Sequence, residues 1–213
     1  MKKLSLLTAV LLLAVCSFAQ SEKYVAAMKK NLAGMDSSFK STADLIKMSN
    51  SFERIATTEK SEWLPYYYAA LCQVNAGFME QDKSKIDGIA DKANELIKKA
   101  DSLTPNNSEI SCIKSMIASC HMMVDPQQRW MQYGQESSSN MEAAMKQDAT
   151  NPRPYFLKGQ GLKYTPTEFG GGCGTAKPQL ETALEKYNTF KPASEIHPSW
   201  GKQFVEKLIS DCK

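Results

Sequence analysis

Apolar residues recur every three or four positions along most of the chain, and no stretch of useful length alternates apolar with polar residues. The first spacing is typical of helices that bury one face, whereas strict alternation is typical of half-buried strands. Leu45, Phe52 and Ala56, for example, share one face of a predicted helix. The pattern therefore predicts an all-helical protein with about nine helical segments.

The predicted helices follow one another in pairs. Ser61 and Thr175 are suitable N-caps, and Pro65 falls in a first turn, where a helix tolerates proline. A last helix, from Pro198, has an apolar face suited to closing the open end of a core. The predicted segments are 22–39, 42–58, one from residue 61, 86–102, 108–123, 135–148, one from residue 151, 176–190 and 198–213.

The first residues have the layout of an export signal, with two lysines, an apolar run over 4–15 and small residues before Gln20. Cleavage after Ala19 would leave residues 20–213 as one domain, because no Pro-rich, Gly-rich or charged linker divides them. The alternative is a lipoprotein processed at Cys16. Either interpretation predicts an exported protein, in the periplasm or secreted.

The charge balance argues against a polyanionic partner. The full chain has a net charge of +3, and removal of Lys2 and Lys3 leaves 24 basic against 23 acidic residues. We therefore expect no nucleic-acid partner. After the signal, no apolar run is long enough to predict a membrane span.

Two predicted helices carry small and apolar residues at offsets 0, 4 and 7, as the second helix of a tetratricopeptide repeat does. These are Ala93, Ile97 and Ala100, and Ala176, Leu180 and Ala183. Trp63 and Tyr155 fall at the repeat's aromatic position. The chain thus resembles tetratricopeptide-repeat proteins, with roughly three degenerate units over residues 61–190. Segments 62–70 and 166–174 are similar to exported repeat proteins of Bacteroidetes whose activity is not known. The resemblance implies an α-solenoid of antiparallel helix pairs with a C-terminal capping helix.

In that family the first helix of each unit lines a concave groove. The corresponding positions of this chain give a candidate partner-binding set of Tyr68, Leu71, Arg153, Phe156, Gln160, Lys163 and Tyr164. Aromatic, cationic and amide side chains together suit an extended peptide or protein segment. The alternative for the apolar members is packing against the next helix. The resemblance favours a scaffold that binds a protein or peptide partner and needs no cofactor.

A glycine-rich segment between two predicted helices supports a different function. Its candidate site residues are Phe169, Gly170, Gly171, Gly172 and Cys173. Together with Arg153, this loop could bind a small molecule or an envelope glycan, since free amides at a helix start attract anions. The alternative for the loop is a tight, close-packed turn. A third possibility is a structural envelope component that self-associates.

Five cysteines follow the signal, so at least one thiol stays unpaired. If successive helices alternate in direction, Cys173 and Cys212 lie at the same edge, which predicts a disulfide between them. A second bond, between Cys72 and Cys120, is possible but awkward at the usual spacing of helices.

Catalysis is not expected from this sequence. A cysteine nucleophile needs a histidine within reach, and the chain has only His121 and His197. His121 follows Cys120 directly, so the two side chains diverge on a helix. Zinc motifs such as Cys-x-x-Cys are absent from the sequence, which predicts no metal site.

Overall fold

The computed structural model describes residues 22–212, and helix makes up 79% of this range, with no strands. The all-helical prediction is confirmed. The signal segment and Cys16 lie outside the described residues. Within them, no helix is long and apolar enough to span a membrane.

Within residues 22–212, ten α-helices follow one another, and short 3₁₀ and π turns lie between some of them. They are α1 (22–35), α2 (Thr42–Thr58), α3 (Trp63–Met79), α4 (Lys83–Leu103), α5 (Ser108–Val124), α6 (Pro126–Arg129), α7 (Gln135–Gln147), α8 (Arg153–Tyr164), α9 (Cys173–Thr189) and α10 (Lys202–Ser210). The side chains of Ser41, Asp82 and Asn107 cap α2, α4 and α5 by accepting a backbone N–H.

Consecutive helices pack against each other along the chain, as the predicted pairing requires. The main contacts join α2 to α3, α3 to α4, α4 to α5, α5 to α7, and α8 to α9. The alanines of the two repeat-like helices, including Ala93 and Ala176, are fully buried. Small side chains at these positions allow neighbouring helices to approach closely. α3 and α5 also contact each other, so the core continues from one pair to the next.

Two segments depart from the predicted helices. The connection after α5 forms the short helix α6 and a π turn at Trp130–Gly134, which leaves Trp130 and Met131 largely exposed. The last helix begins at Lys202 instead of Pro198. Gly201 has φ +118, which L side chains rarely adopt, and a Cβ there would lie 1.8 Å from the Tyr187 hydroxyl. Glycine at 201 thus allows the chain to turn sharply before α10.

Residues 190–201, here called the crossing segment, connect α9 to α10 without forming a helix. The segment contacts α1 through an ion pair between Glu195 and Lys29. It contacts α3 where the Tyr68 hydroxyl donates to the Ile196 carbonyl over 3.0 Å. The crossing segment therefore lies over the first helices of successive pairs, which are the helices predicted to line the groove.

Candidate functional site

The crossing segment separates two cavities. The larger, here called the aromatic groove, has a volume of about 890 Å³ and lies between α1, α3, the crossing segment and α10. Its apolar lining consists of Leu32, Met35, Phe39, Tyr68, Leu71, Trp200 and Phe204. Phe39 and Phe204 are 37% and 44% exposed, an unusual degree for phenylalanine. The groove therefore offers aromatic side chains to a partly apolar ligand.

The smaller cavity, here called the polar cavity, has a volume of about 560 Å³. Trp63, Glu109, Asp148, Phe190 and His197 are among its lining residues. His197 thus borders both cavities, because it also lines the aromatic groove. Its position on the crossing segment places one imidazole at the boundary between an aromatic and a polar space.

The imidazole of His197 is held by its neighbours. Its Nδ1 lies 2.7 Å from the Ser194 hydroxyl oxygen, and its ring meets that of Trp63 edge to face at 5.9 Å. Partial burial lowers the pKa of His197, which favours the neutral imidazole near neutral pH. Within residues 22–212, Nε2 of His197 makes no hydrogen bond. A neutral imidazole with one oriented nitrogen and one free nitrogen is suited to ligate a metal ion.

Beneath the crossing segment lies a buried ion pair. Nη1 of Arg153 donates to Oε1 of Glu109 over 2.7 Å, and the Arg153 side chain is fully buried. Glu109 also accepts hydrogen bonds from the Asn151 amide at 2.9 Å and the Tyr67 hydroxyl at 3.2 Å. Burial raises the pKa of Glu109, and the charge and hydrogen bonds of Arg153 and Tyr67 oppose that rise.

The predicted partner-binding residues do not form one surface. Tyr68 and Leu71 are each 2% exposed, and both line the aromatic groove. Arg153 and Phe156 are buried under the crossing segment, where the rings of Phe156 and Trp200 meet at 6.3 Å. Gln160 is half-buried on the same helix. The crossing segment therefore covers much of the groove that the repeat resemblance implies.

The last two predicted groove residues lie farther along α8. Lys163 forms an ion pair with Asp211 at 3.4 Å, after the end of α10. Tyr164 is 71% exposed, and the Lys163 ammonium lies 5.9 Å from the centre of its ring. This end of α8 leads into the glycine-rich loop. Neither residue lines the aromatic groove or the polar cavity.

The glycine-rich loop is closed by its own backbone. The amides of Gly171 and Gly172 donate to the carbonyls of Pro166 and Leu162, over 3.1 and 2.8 Å. Gly170 and Gly172 have positive φ, and a Cβ at Gly171 would lie 2.0 Å from the Thr165 carbonyl oxygen. These contacts favour the tight-turn alternative, although Phe169 is 78% exposed. A role of this loop in binding stays a prediction.

The predicted disulfide is confirmed. Cys173, the first residue of α9, bonds to Cys212 with an S–S distance of 2.08 Å. The possible second bond is not formed, because Cys72, Cys112 and Cys120 are free and buried. Burial raises the pKa of the Cys72 and Cys120 thiols to about 12. Such thiols are poor nucleophiles near neutral pH.

Glu109 falls at a groove position of the repeat but outside the candidate set, and the sequence does not single out Trp200 or Phe204 as site residues. Both belong to the apolar face of the helix predicted from Pro198, but Trp200 lies in the crossing segment. The sequence signal for the non-helical crossing segment is its content of Pro192, Pro198 and Gly201, since such residues interrupt helices. The partners of the segment could not be deduced from this signal.

Comparisons with known proteins place the chain in a family. No protein-family model matches it, and no curated protein does. Among solved structures, the chain is similar to the HusA haemophore from Porphyromonas gingivalis, with a TM-score of 0.79 and 36% sequence identity. The match covers 89% of this chain and 92% of that chain. At this identity and coverage, the chain belongs to the same family as the HusA haemophore.

Proposed function

We propose that this protein is an exported, non-enzymatic carrier that binds haem or a closely related porphyrin in the aromatic groove. The observation that carries the proposal is this groove in a chain that is 36% identical to a haemophore. Binding of a small molecule or an envelope glycan is the alternative function that the sequence predicts, with the glycine-rich loop as its site. The proposal moves the site to the groove beside the crossing segment.

The groove suits a flat, largely apolar ring. Its volume of about 890 Å³ lies within the range of roughly 300–1,000 Å³ that ligand sites usually have. Phe39 and Phe204 are partly exposed, so a bound ring would remove their apolar surface from water. Aromatic side chains stack favourably with other π systems, and methionine, here Met35, adapts its shape to them.

His197 is the residue best placed to hold a haem iron. Its pKa is lowered by burial, so the imidazole is neutral and able to coordinate near neutral pH. When Nδ1–H donates to the Ser194 hydroxyl, the ring is held in place and the lone pair of Nε2 is left to coordinate. Histidine is a common axial ligand of haem iron.

The test is a haemin titration followed by the Soret absorbance, with two matched phenylalanine variants. Phe204 lines the aromatic groove, whereas Phe169 lies in the glycine-rich loop, and both side chains are substantially exposed. Phe204→Ala should weaken haemin binding about tenfold, or about 1.4 kcal/mol. Phe169→Ala should bind as wild type does. The reverse result would assign binding to the loop, and no Soret change in wild type would reject the function.

A second titration separates the iron from the ring. His197→Ala should weaken the binding of haemin but leave that of metal-free protoporphyrin IX nearly unchanged, because only haemin has an iron to coordinate. Equal losses for both ligands would show that His197 acts by packing alone. That result would reject the axial-ligand role and leave the carrier function standing.

The repeat architecture is proposed as well. Packing of consecutive helices and the buried alanines of α4 and α9 support a degenerate tetratricopeptide-like solenoid. The disulfide supports export, because such bonds persist in oxidising compartments. A peptide-binding role has less support, because the chain's own crossing segment lies over Tyr68, Arg153 and Phe156.

A further inference from the structure

Arg153 has an unused hydrogen-bonding edge. Its Nη1 donates to Glu109, but Nε and Nη2 are buried and have no acceptor within the described part of the chain. These two N–H groups lie side by side on one edge of the planar guanidinium. They form the fork that binds a carboxylate through two parallel hydrogen bonds.

The buried Nε and Nη2 of Arg153, which have no acceptor in the described part of the chain, require an explanation. Buried polar groups in folded proteins nearly always have hydrogen-bond partners, because an unpaired donor loses its hydration without compensation. Arg153 is 0% exposed, so bulk water does not reach the fork. Glu109 does not satisfy this edge: its oxygens accept hydrogen bonds from Nη1 of Arg153, from Asn151 and from Tyr67, and Nε and Nη2 of Arg153 have no acceptor within the described part of the chain.

Aromatic side chains of the crossing segment cover the guanidinium. The centre of the Arg153 guanidinium lies 5.1 Å from the ring centre of Trp200 and 4.9 Å from that of Phe190. Trp200 also lines the aromatic groove, whereas Phe190 lines the polar cavity. The indole of Trp200 therefore contacts Arg153 and also lines the groove. Trp200 is only half-buried and is followed by Gly201.

The groove itself offers little to bind anionic groups. Among the residues that line it, Lys202 is the one cation, and it is balanced by Glu195 and Glu206. Glu195 also forms the ion pair with Lys29. A porphyrin such as haem bears two carboxylates, so the lining residues leave at least one of them without a charged partner.

We infer that a carboxylate of the bound porphyrin pairs with the Nε and Nη2 edge of Arg153 after the Trp200 side chain moves aside. This inference rests on the proposed function, because that function supplies the carboxylate. The incoming group would complete the hydrogen bonds of Arg153 at its Nε and Nη2 edge. Glu109 keeps its three donors and holds Arg153 in place.

The test compares metal-free protoporphyrin IX with its dimethyl ester, which lacks the charges. Both are titrated in the same detergent-containing buffer, with porphyrin fluorescence as the readout. Wild type should bind the acid at least about tenfold more tightly than the ester, since charge-assisted bidentate bonds are strong. Arg153→Lys keeps a charge beside Glu109 but loses the fork, so it should bind acid and ester nearly equally.

Hydrogen exchange gives a second readout. Binding of the acid should speed amide exchange in residues 196–201, because Trp200 leaves its place, whereas binding of the ester should not.

Equal affinities of wild type for acid and ester, or an acid preference kept by Arg153→Lys, would overturn the inference and assign the fork to a buried water. If Arg153→Lys does not fold, Glu109→Gln/Arg153→Gln removes both charges together and takes its place. Failure of wild type to bind either porphyrin would instead overturn the proposed function, and this inference with it.

Discussion

The indole Nε1 of Trp200 donates a hydrogen bond to the hydroxyl oxygen of Tyr67, 2.9 Å away and 133 residues earlier in the chain. The neighbouring Tyr68 hydroxyl donates to the Ile196 carbonyl at 3.0 Å. Two consecutive tyrosines of α3 thus hold the crossing segment at two points. The third tyrosine of the run, Tyr66, is half-buried, and its hydroxyl bonds to the Ala56 carbonyl at 3.3 Å.

Replacement of Trp200 should destabilise the protein more than replacement of Trp130. Trp200→Ala removes the hydrogen bond to Tyr67 and the ring contacts with Phe156 and Arg153, and should cost about 3 kcal/mol of unfolding free energy. Trp130 is 60% exposed, so Trp130→Ala should stay within about 0.5 kcal/mol of wild type. Urea denaturation of the two variants measures both values. Equal effects would mean that the crossing segment is not held as described.

Two glycines of α8 provide a matched pair of alanine substitutions. A Cβ at Gly159 would lie 2.7 Å from the Leu180 side chain and 3.1 Å from its backbone nitrogen, whereas one at Gly161 meets nothing within 4 Å. Gly159→Ala should therefore lower the unfolding free energy by about 1–3 kcal/mol. Gly161→Ala should raise it by about 0.5 kcal/mol, because alanine favours helix. Thermal unfolding would reveal opposite shifts, and shifts of the same sign would contradict the close packing of α8 on α9.

The disulfide should make a large contribution to stability. It joins residues separated by 39 positions, and the chain-entropy model assigns about 4 kcal/mol to a loop of that length. Cys173→Ala/Cys212→Ala should lose that amount in a denaturation experiment. Added reductant should destabilise wild type but not this double variant. A reductant effect of equal size on both proteins would contradict this, because it would require a disulfide other than Cys173–Cys212.

Stability should fall in acid partly because of Asp87. Two hydrogen bonds from Arg129, at 2.7 and 2.9 Å, lower the pKa of Asp87 from 3.8 to about 2. A carboxyl group whose pKa is lowered by folding stabilises the protein fully above its unfolded pKa. That contribution is lost as the pH falls from about 4 toward 2.

Asp87→Asn should therefore lose less stability than wild type between pH 5 and pH 2.5, although it is less stable at pH 7. Urea midpoints at the two acidic pH values give the comparison. Arg129→Met serves as the control, because it removes the largest cause of the lowered pKa of Asp87 and leaves the smaller contribution of His121. In that background Asp87→Asn should change the acid dependence less than it does in the wild-type background. An unchanged acid dependence of Asp87→Asn alone would refute the assignment.

The local architecture could be predicted from the sequence because it depends on short-range patterns. The apolar periodicity predicted the helices, and the assumed alternation of helix directions predicted the Cys173–Cys212 bond. Residues 190–201 have no periodicity, and their contacts with α1, α3 and α8 are distant in sequence. Nothing local indicates that Glu109 meets Arg153, 44 residues later, or that Trp200 covers the guanidinium of Arg153. The candidate site is made of such distant contacts, so the sequence alone supplied only fragments of it.

The bond between Cys173 and Cys212 makes residues 173–212 a covalent ring that contains α9, the crossing segment and α10. One peptide bond cut by a protease anywhere inside this ring would leave both fragments attached to the protein. The same closure keeps the first residue of α9 beside the end of α10, so the two helices that flank residues 190–201 stay joined at their far ends. A protein built this way would keep its C-terminal helix attached after an isolated nick.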